Sequence, residues 1–259
     1  MIIACLAVRL KSKRLPRKAL IKIKEKPIFQ HVVERVKKSK NIDKIIVCTS
    51  TNTQDDELYE VCLSENIECF RGDENDVMKR FIDAVKKYNP KHIVRMTGDN
   101  PCISYEFIDI AVKSHIENDS MYTTTEDLPR GMRSEVINFN FLQDLHQKLV
   151  MPEMTEYMTW YLDRPDMWKV TKVQLESDYC RNHYRFTCDT ESDLKLINEI
   201  YENLYTNQPP SSINIIKFID DNNHLTQHNS EIKQKSYSDL KSKIEIRTKE
   251  EVLNDRKKG

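Results

Sequence analysis

Residues 7–18 read AVRLKSKRLPRK, six basic side chains in twelve with no acid and no glycine. They follow the apolar run Met1-Ile2-Ile3-Ala4-Cys5-Leu6. Arginine offers a planar fork that matches phosphate oxygens, and lysine offers a mobile point charge. Pro16 stiffens the segment and lowers the cost of ordering it. A triphosphate carries about four negative charges, so a site for one needs several cations in one place. Two acids complete the pattern. Asp99 follows Gly98 and precedes Pro101, and Asp189 closes Tyr184-Arg185-Phe186-Thr187-Cys188-Asp189. A carboxylate at each of two strand ends can hold Mg²⁺, which takes few carboxylates and fills its shell with phosphate oxygens and water. A cationic loop with two such acids is the minimal set for metal-assisted attack on a nucleotide phosphorus. Each part has a plainer reading: the basic run as a solvated surface or nucleic-acid arm, each acid as a helix N-cap.

Other candidates carry less. His224 and His228 are four apart but lie in a polar segment without further ligands at a recognised spacing, and Cys180-x-x-His183 is equally incomplete. Cys188 reads as buried beside a sheet. No Ser/His/Asp or Cys/His nucleophile pattern is visible.

The elements that must position these residues alternate. Strand-like runs at 1–8, 44–49, 67–70 and 92–97 are separated by segments of helical spacing. Ile28, Val32, Val33 and Val36 share a face, with Pro27 suited to a first turn; Leu58, Val61 and Cys62 form a second stripe; Val77, Phe81, Ala84 and Val85 form a third. This order predicts a mostly parallel α/β sheet with right-handed crossovers and ligands at the strands' carboxyl ends. The basic run and Thr97-Gly98-Asp99-Asn100-Pro101 both leave such ends. From 119 to 185 the rhythm changes to short strands (120–125, 134–139, 168–175) around helix-like pieces (140–149, 153–162), which reads as an inserted small β/α lobe. A strand over 184–189 and a helix carrying Leu194, Ile197, Ile200 and Tyr201 on one face follow. The expected organisation is a catalytic domain over 1–225, with the insert at 119–185, and a polar C-terminal tail over 226–259.

Composition bounds the function. Lys+Arg and Asp+Glu are both 41, so the net charge is zero. That argues against a nucleic-acid-binding module built on the basic run, as does the absence of aromatics interleaved in it. No apolar run approaches the roughly 20 residues that span a bilayer, Arg9 interrupts any signal-peptide core, and the seven scattered cysteines form no C-x-x-C pair. The expected location is cytoplasmic. The chain has four glycines, Gly72, Gly98, Gly131 and Gly259, too far apart for either glycine-rich phosphate loop. Side chains must then supply much of the phosphate neutralisation.

Together, Arg9-x-x-Ser12-x-Arg14-Leu15-Pro16-x-Lys18, Lys26-Pro27-Ile28, Val47-Cys48-Thr49, Phe70-Arg71-Gly72, Asp76-Val77-Met78-Lys79-Arg80-Phe81, Val94-Arg95-Met96-Thr97-Gly98-Asp99-Asn100-Pro101 and Arg185-Phe186-Thr187-Cys188-Asp189-Thr190-x-x-Asp193-Leu194 occur in order over residues 1–205. This set resembles the CMP-sugar synthetases, such as the 3-deoxy-manno-octulosonate cytidylyltransferases. It is more similar still to the branch named after a spore coat polysaccharide biosynthesis protein. The resemblance implies a Rossmann-like fold of the nucleotide-diphospho-sugar transferase type, CTP as donor, Mg²⁺ as cofactor and a homodimer contacting through the insert. It implies that Arg9, Arg14 and Lys18 engage the triphosphate and that Asp99 and Asp189 hold the metal, with Arg9, Lys18, Asp99 and Asp189 catalytic. Ser12, Thr49, Arg71, Thr97 and Gly98 are further expected nucleotide contacts. For the acceptor, an anionic small molecule, Arg133, Glu135 and Arg185 are the candidates, while Tyr157, Trp160, Tyr161 and Trp168 suit a dimer interface or a sugar platform. Two departures stand out. Glu25 replaces the glycine that usually precedes Lys-Pro, and Pro152-Glu153-Met154-Thr155-Glu156-Tyr157 replaces a more basic stretch, which leaves the acceptor open. A donor other than CTP, such as UTP, remains the same-fold alternative, although its users usually carry the glycine-rich loop missing here.

Overall fold

The computed structural model describes residues 1–232 and residue 246. Nine strands and eight α-helices are present among them. The strands are β1 (Ile2–Ala7), β2 (Lys22–Ile23), β3 (Lys26–Pro27), β4 (Lys44–Ser50), β5 (Cys69–Gly72), β6 (His92–Thr97), β7 (Tyr122–Thr124), β8 (Glu135–Asn138) and β9 (Val170–Lys172). The helices are α1 (Ile28–Val36), α2 (Asp56–Ser64), α3 (Val77–Val85), α4 (Tyr105–Glu117), α5 (Phe139–His146), α6 (Met158–Leu162), α7 (Glu191–Leu204) and α8 (Ser212–Asp221). Seven strands form one sheet in the order β5-β4-β1-β6-β8-β7-β9. Only β8 runs against the others.

The four inner residues of β1 are fully buried, as a central parallel strand covered on both faces requires. Ala4 and Leu6 pack with α1, α4, α7 and α8, while Ile3 and Cys5 pack with α3, α5 and α6. The chain builds β4 and β5 on one side of β1, then returns to place β6 on the other. The carboxyl ends of β1 and β6 therefore flank the switch point where ligands collect in open α/β sheets.

The expected inner strands and helices are present. The segment 119–185 is continuous with this sheet: it adds β7 and β8, covers one face with α5, a 3-10 turn at Pro152–Tyr157 and α6, and then adds β9 at the far edge. The strand expected over 184–189 is absent. That stretch makes a single bridge, Arg130 to Arg185, and runs extended past the sheet. The β2–β3 hairpin was not foreseen. Its turn residues Lys24 and Glu25 adopt φ of 47° and 64°, so Glu25 takes up the left-handed conformation that favours glycine. Pro27 is the N-cap of α1 rather than part of its first turn. The expected tail begins inside the fold, for Asn229 is 4% exposed and its amide donates to Arg185 O and Asp193 Oδ1. Residues 233–245 and 247–259 lie outside the described residues.

His115 in α4 is buried, with its ring edge-on to His92 at 4.8 Å and Nδ1 2.8 Å from Thr123 Oγ1. Its Nε2 and His92 Nδ1 have no partner among the described residues. Burial, and then the facing imidazole, push the His115 pKa down to about 3. Burial first, then the chain's amino terminus and Lys91, lower that of His92. An unfolded histidine titrates near about 6.5. The folded state thus binds fewer protons, and stability present above pH 6.5 is lost as pH falls towards 3. Denaturant unfolding should show a slope of roughly 1.4 kcal/mol per pH unit for each such proton across that interval. His115→Leu should flatten it, and equal slopes in the two proteins would remove this account.

Candidate active site

The loop after β1 is held without glycine. Val8 N donates to Cys48 O at 3.2 Å, Leu10 N to the Asp55 carboxylate at 2.7 Å, and Arg17 N back to Leu10 O at 3.2 Å. Asp55 is fully buried, and its second oxygen accepts from the backbone and hydroxyl of Ser50. Leu10 and Leu15 fold inward at 5% and 7% exposure, so burial pins the loop's apolar residues while its cations face out. Arg17 has φ 57° and opens the 3-10 turn Lys18–Leu20, which turns the Lys18 side chain back over the sheet.

Asp99 is placed by a second tight constraint. Gly98 N donates to Ala7 O at 2.9 Å, and a Cβ on Gly98 would lie 2.6 Å from Val8 Cγ2. Only glycine lets β6 leave the sheet this close to β1. Thr97 Oγ1 then donates to Asp99 Oδ1 at 2.5 Å and receives the Asn100 amide at 2.9 Å. Asp189 is set against Asp99 by the bond from Cys188 N to Asp99 O at 2.7 Å. The extended chain before it is threaded by Arg130 N to Tyr184 O and Phe186 N to Arg130 O, at 3.0 and 2.7 Å. Gly131, at φ 92°, passes so close that a Cβ would sit 2.5 Å from the Phe186 backbone.

Neither acid is a cap. Ser104 caps α4, and Thr190 caps α7 in a capping box with Asp193. Both carboxylates instead converge on one ammonium: Lys18 Nζ donates to Asp99 Oδ2 at 2.5 Å and to Asp189 Oδ1 at 2.6 Å. Arg14 stands 3.3 Å and Arg185 2.9 Å from Asp189 Oδ2. Burial alone would raise the Asp189 pKa, but Lys18, Arg14 and Arg185 outweigh it and hold it at about 2. Burial likewise disfavours the Lys18 ammonium, and Asp99 and Asp189 reverse that and raise its pKa. An unprotonated Lys18 amine is therefore not available here at neutral pH.

The remaining expected residues divide. Arg9 stands at the mouth, donating to Glu74 O at 2.8 Å and to Glu156 Oε2 at 3.1 Å. Ser12 accepts from Leu15 N at 3.4 Å and shapes the loop. Arg71 is committed to Ser50 O, Asn52 O and Asp56, and Thr49 is fully buried with a hydroxyl that has no partner among the described residues. Arg185 is enclosed, with Nε and Nη2 on the Asp193 carboxylate at 2.8 and 3.0 Å. Glu135 is saturated by Arg95, Tyr122 and Thr159. Arg133 is tied to Leu128 O and Glu126 O at 2.9 and 3.1 Å. The structure thus gathers Lys18, Arg14, Asp99 and Asp189, leaves Glu135 no free polar atom for a ligand, and leaves Arg185 only its Nη1, buried and without a partner among the described residues. His224 and His228 lie in the 3-10 helix Asn223–His228. No group of three or more potential metal ligands exists among the described residues, so the two-acid site is one that needs oxygens from a ligand.

Three functional residues were not singled out from sequence. Asp55 has no local signal. Asp193 had one, the Thr-x-x-Asp capping box, but its second task of holding Arg185 is tertiary. Arg95 reads as an ordinary strand residue.

A cationic loop after β1, an acid after β6 and a second acid before α7, met at the switch point of an α/β sheet, suit the binding of a phosphorylated ligand. Comparison with known proteins narrows this. The cytidylyltransferase family model matches residues 3–215, and the chain belongs to that family; it is a nucleotidyltransferase. It is 36% identical to an uncharacterised protein of Methanocaldococcus jannaschii, over 92% of this chain and 98% of that one. It is 30% identical to the spore coat polysaccharide biosynthesis protein SpsF of Bacillus subtilis, over 78% and 86%. Among solved structures, a cytidylyltransferase from Leptospira borgpetersenii superposes with TM-score 0.79 at 26% identity, covering 90% of this chain and 98% of that one. A CMP:2-keto-3-deoxy-manno-octonic acid synthetase complexed with CTP shares the fold at TM-score 0.58 and 16% identity, over 78% and 98%.

Asp193 accepts six hydrogen bonds from Arg185, Asp189 N, Thr190 and Asn229. Asp193→Ala leaves the buried Arg185 without its partner, and urea unfolding should show a loss of about 3–5 kcal/mol. A loss below about 1 kcal/mol would mean that this network does not anchor Asp189.

Proposed function

We propose that the protein is a CTP-dependent, Mg²⁺-assisted cytidylyltransferase. It would transfer CMP to a sugar acid or small phosphorylated acceptor for surface polysaccharide or glycan synthesis. The observation that carries this reading is the Lys18 ammonium bridging Asp99 and Asp189 at the switch point. Two carboxylates already sharing one cation form a hard-oxygen pair suited to Mg²⁺, which supplies charge neutralisation of the triphosphate and polarisation of the attacked phosphorus when bound.

The chain's own groups do the rest. Lys18, Arg14 and Arg185 are matched by Asp99, Asp189 and Asp193, so this inner cluster is neutral by itself. In the outer loop Arg9 is paired with Glu156 and Lys11 with Glu74, so extra positive charge for the triphosphate comes from Lys13, and from Arg9 and Lys11 once the ligand displaces those acids. In the reaction an acceptor oxygen attacks the α-phosphorus, the bond to the β-phosphate oxygen breaks, pyrophosphate leaves, and the acceptor's proton is released. Fixed cations on the leaving side favour that departure. We further propose that the enzyme works in the cytoplasm as a homodimer. The stacked rings of Tyr157 and Trp160 (4.7 Å, 6°), with the exposed Val150 and Met167, support a contact on the α6 side.

Thermal unfolding with Mg²⁺ tests the donor. CTP at about 100 times its dissociation constant should add roughly 2.7 kcal/mol to stability, and UTP, ATP and GTP distinctly less. Equal shifts with all four would reduce the loop to a general polyanion site.

A further inference from the structure

Arg95 lies in the middle strand β6, on the face shared by Ile93 and Thr97, two residues before the turn that carries Asp99. An arginine facing a packed sheet layer needs an explanation. Its Nη1 donates to Glu135 Oε2 and, at 3.2 Å, to Thr159 Oγ1. Glu135 is its register partner on β8, 7% exposed, and receives Tyr122 Oη at 2.5 Å and Thr159 Oγ1 at 2.6 Å. The pair is thus locked by three elements. The lock leaves a donor over. Arg95 Nε is buried without a partner, while Nη2 has no hydrogen bond among the described residues and keeps solvent contact, the side chain being 14% exposed.

That nitrogen belongs to a residue two before Thr97, whose hydroxyl donates to Asp99 Oδ1. Thr159, which holds Arg95, is three residues from Glu156, which holds Arg9. Arg9 and Arg95 are therefore fastened to one short segment, Pro152–Leu162. Arg95 also lies within the field of the Asp99 charge. The triphosphate cations, Lys18 and Arg14, are gathered on the Asp189 side of the acids. Arg95 comes from the opposite face of the sheet.

We propose that Arg95 is the residue that binds the acceptor, its Nη2 donating to an oxygen of a carboxylate or phosphate group, with Glu135 the positioning residue that aims it. This rests on the cytidylyltransferase reading above and deepens it by assigning the acceptor's anionic group a partner. Glu135 thereby acts on the acceptor through Arg95 rather than by orienting hydroxyls, and Arg185 stays an internal support of Asp189. Burial explains the arrangement: one guanidinium edge is neutralised by Glu135, so the charge survives at low exposure, and the other edge remains to recognise an anion.

The experiment titrates two probes, inorganic phosphate and 3-deoxy-manno-octulosonate, into the full chain, with and without saturating Mg²⁺ and a non-hydrolysable CTP analogue. Wild type, Arg95→Lys and the double variant Arg95→Met/Glu135→Gln are compared; the double variant removes both charges, so no buried carboxylate is stranded. Thermal unfolding verifies that each is folded. The expected result is saturable binding of one probe to wild type, weakened at least about tenfold in the double variant and partly restored by lysine, with affinity for the CTP analogue within about twofold throughout. Binding of phosphate alone or of the sugar acid alone tells which anion the site takes. Binding of neither probe to wild type, equal binding by all three proteins, or a parallel loss of the CTP analogue would overturn the proposal. Failure of every protein to bind the CTP analogue, with Arg95-dependent anion binding intact, would strike the donor assignment and leave the anion site standing.

Discussion

The structure turns on one ammonium between two carboxylates. Lys18 comes from the loop after β1, Asp99 from the turn after β6 and Asp189 from the extended chain before α7, and the three meet within 2.6 Å contacts of one nitrogen. Asp189 is held ionised by Lys18, Arg14 and Arg185, and Arg185 is itself fixed by Asp193, which accepts the amide of Asn229. The cluster is therefore a preorganised, nearly neutral centre. A metal ion and a triphosphate can exchange for the internal ion pairs without first paying for bare buried charge.

The scarcity of glycine shapes how the phosphate loop is built. Glycine-rich loops offer backbone N–H groups at low steric cost. Here the loop is pinned from below by the Asp55 carboxylate and by inward Leu10 and Leu15, so its cationic side chains are what remain outside. The glycines that do occur near the site are spent where chains nearly collide. Gly98 clears Val8, and Gly131 clears the Phe186–Thr187 backbone. Both approaches bring an acid-bearing segment to the switch point.

The central sheet and the inner site were legible in the sequence because their signals are local. Strand runs, helix stripes and an acid after a strand need only neighbours in the chain. Glu25 shows a limit, for a glutamate can adopt a left-handed turn when the hairpin's strands are paired. The strand expected over 184–189 failed for another reason. Its apolar alternation is real, since Phe186 and Cys188 are buried, but those residues pack as extended chain beside the sheet rather than in a ladder. The acceptor side was the least legible. Glu135 and Arg185 carry the right chemistry, and only the three-dimensional contacts show that Glu135 is saturated and that Arg185 spends Nε and Nη2 on Asp193 and Asp189. Arg95 gives no local sign because the role proposed for it depends on which of its nitrogens the fold leaves unpaired.

If the Lys18 ammonium holds the place of a metal cation, removing it must open that place to one. Mn²⁺ binding followed by electron paramagnetic resonance, without nucleotide, compares wild type with Lys18→Ala directly. The account predicts weak binding to wild type and at least about tenfold tighter binding to the variant, because one positive charge has left a pair of ionised acids. Equal or weaker Mn²⁺ binding by Lys18→Ala would contradict it and return Asp99 and Asp189 to a purely structural role.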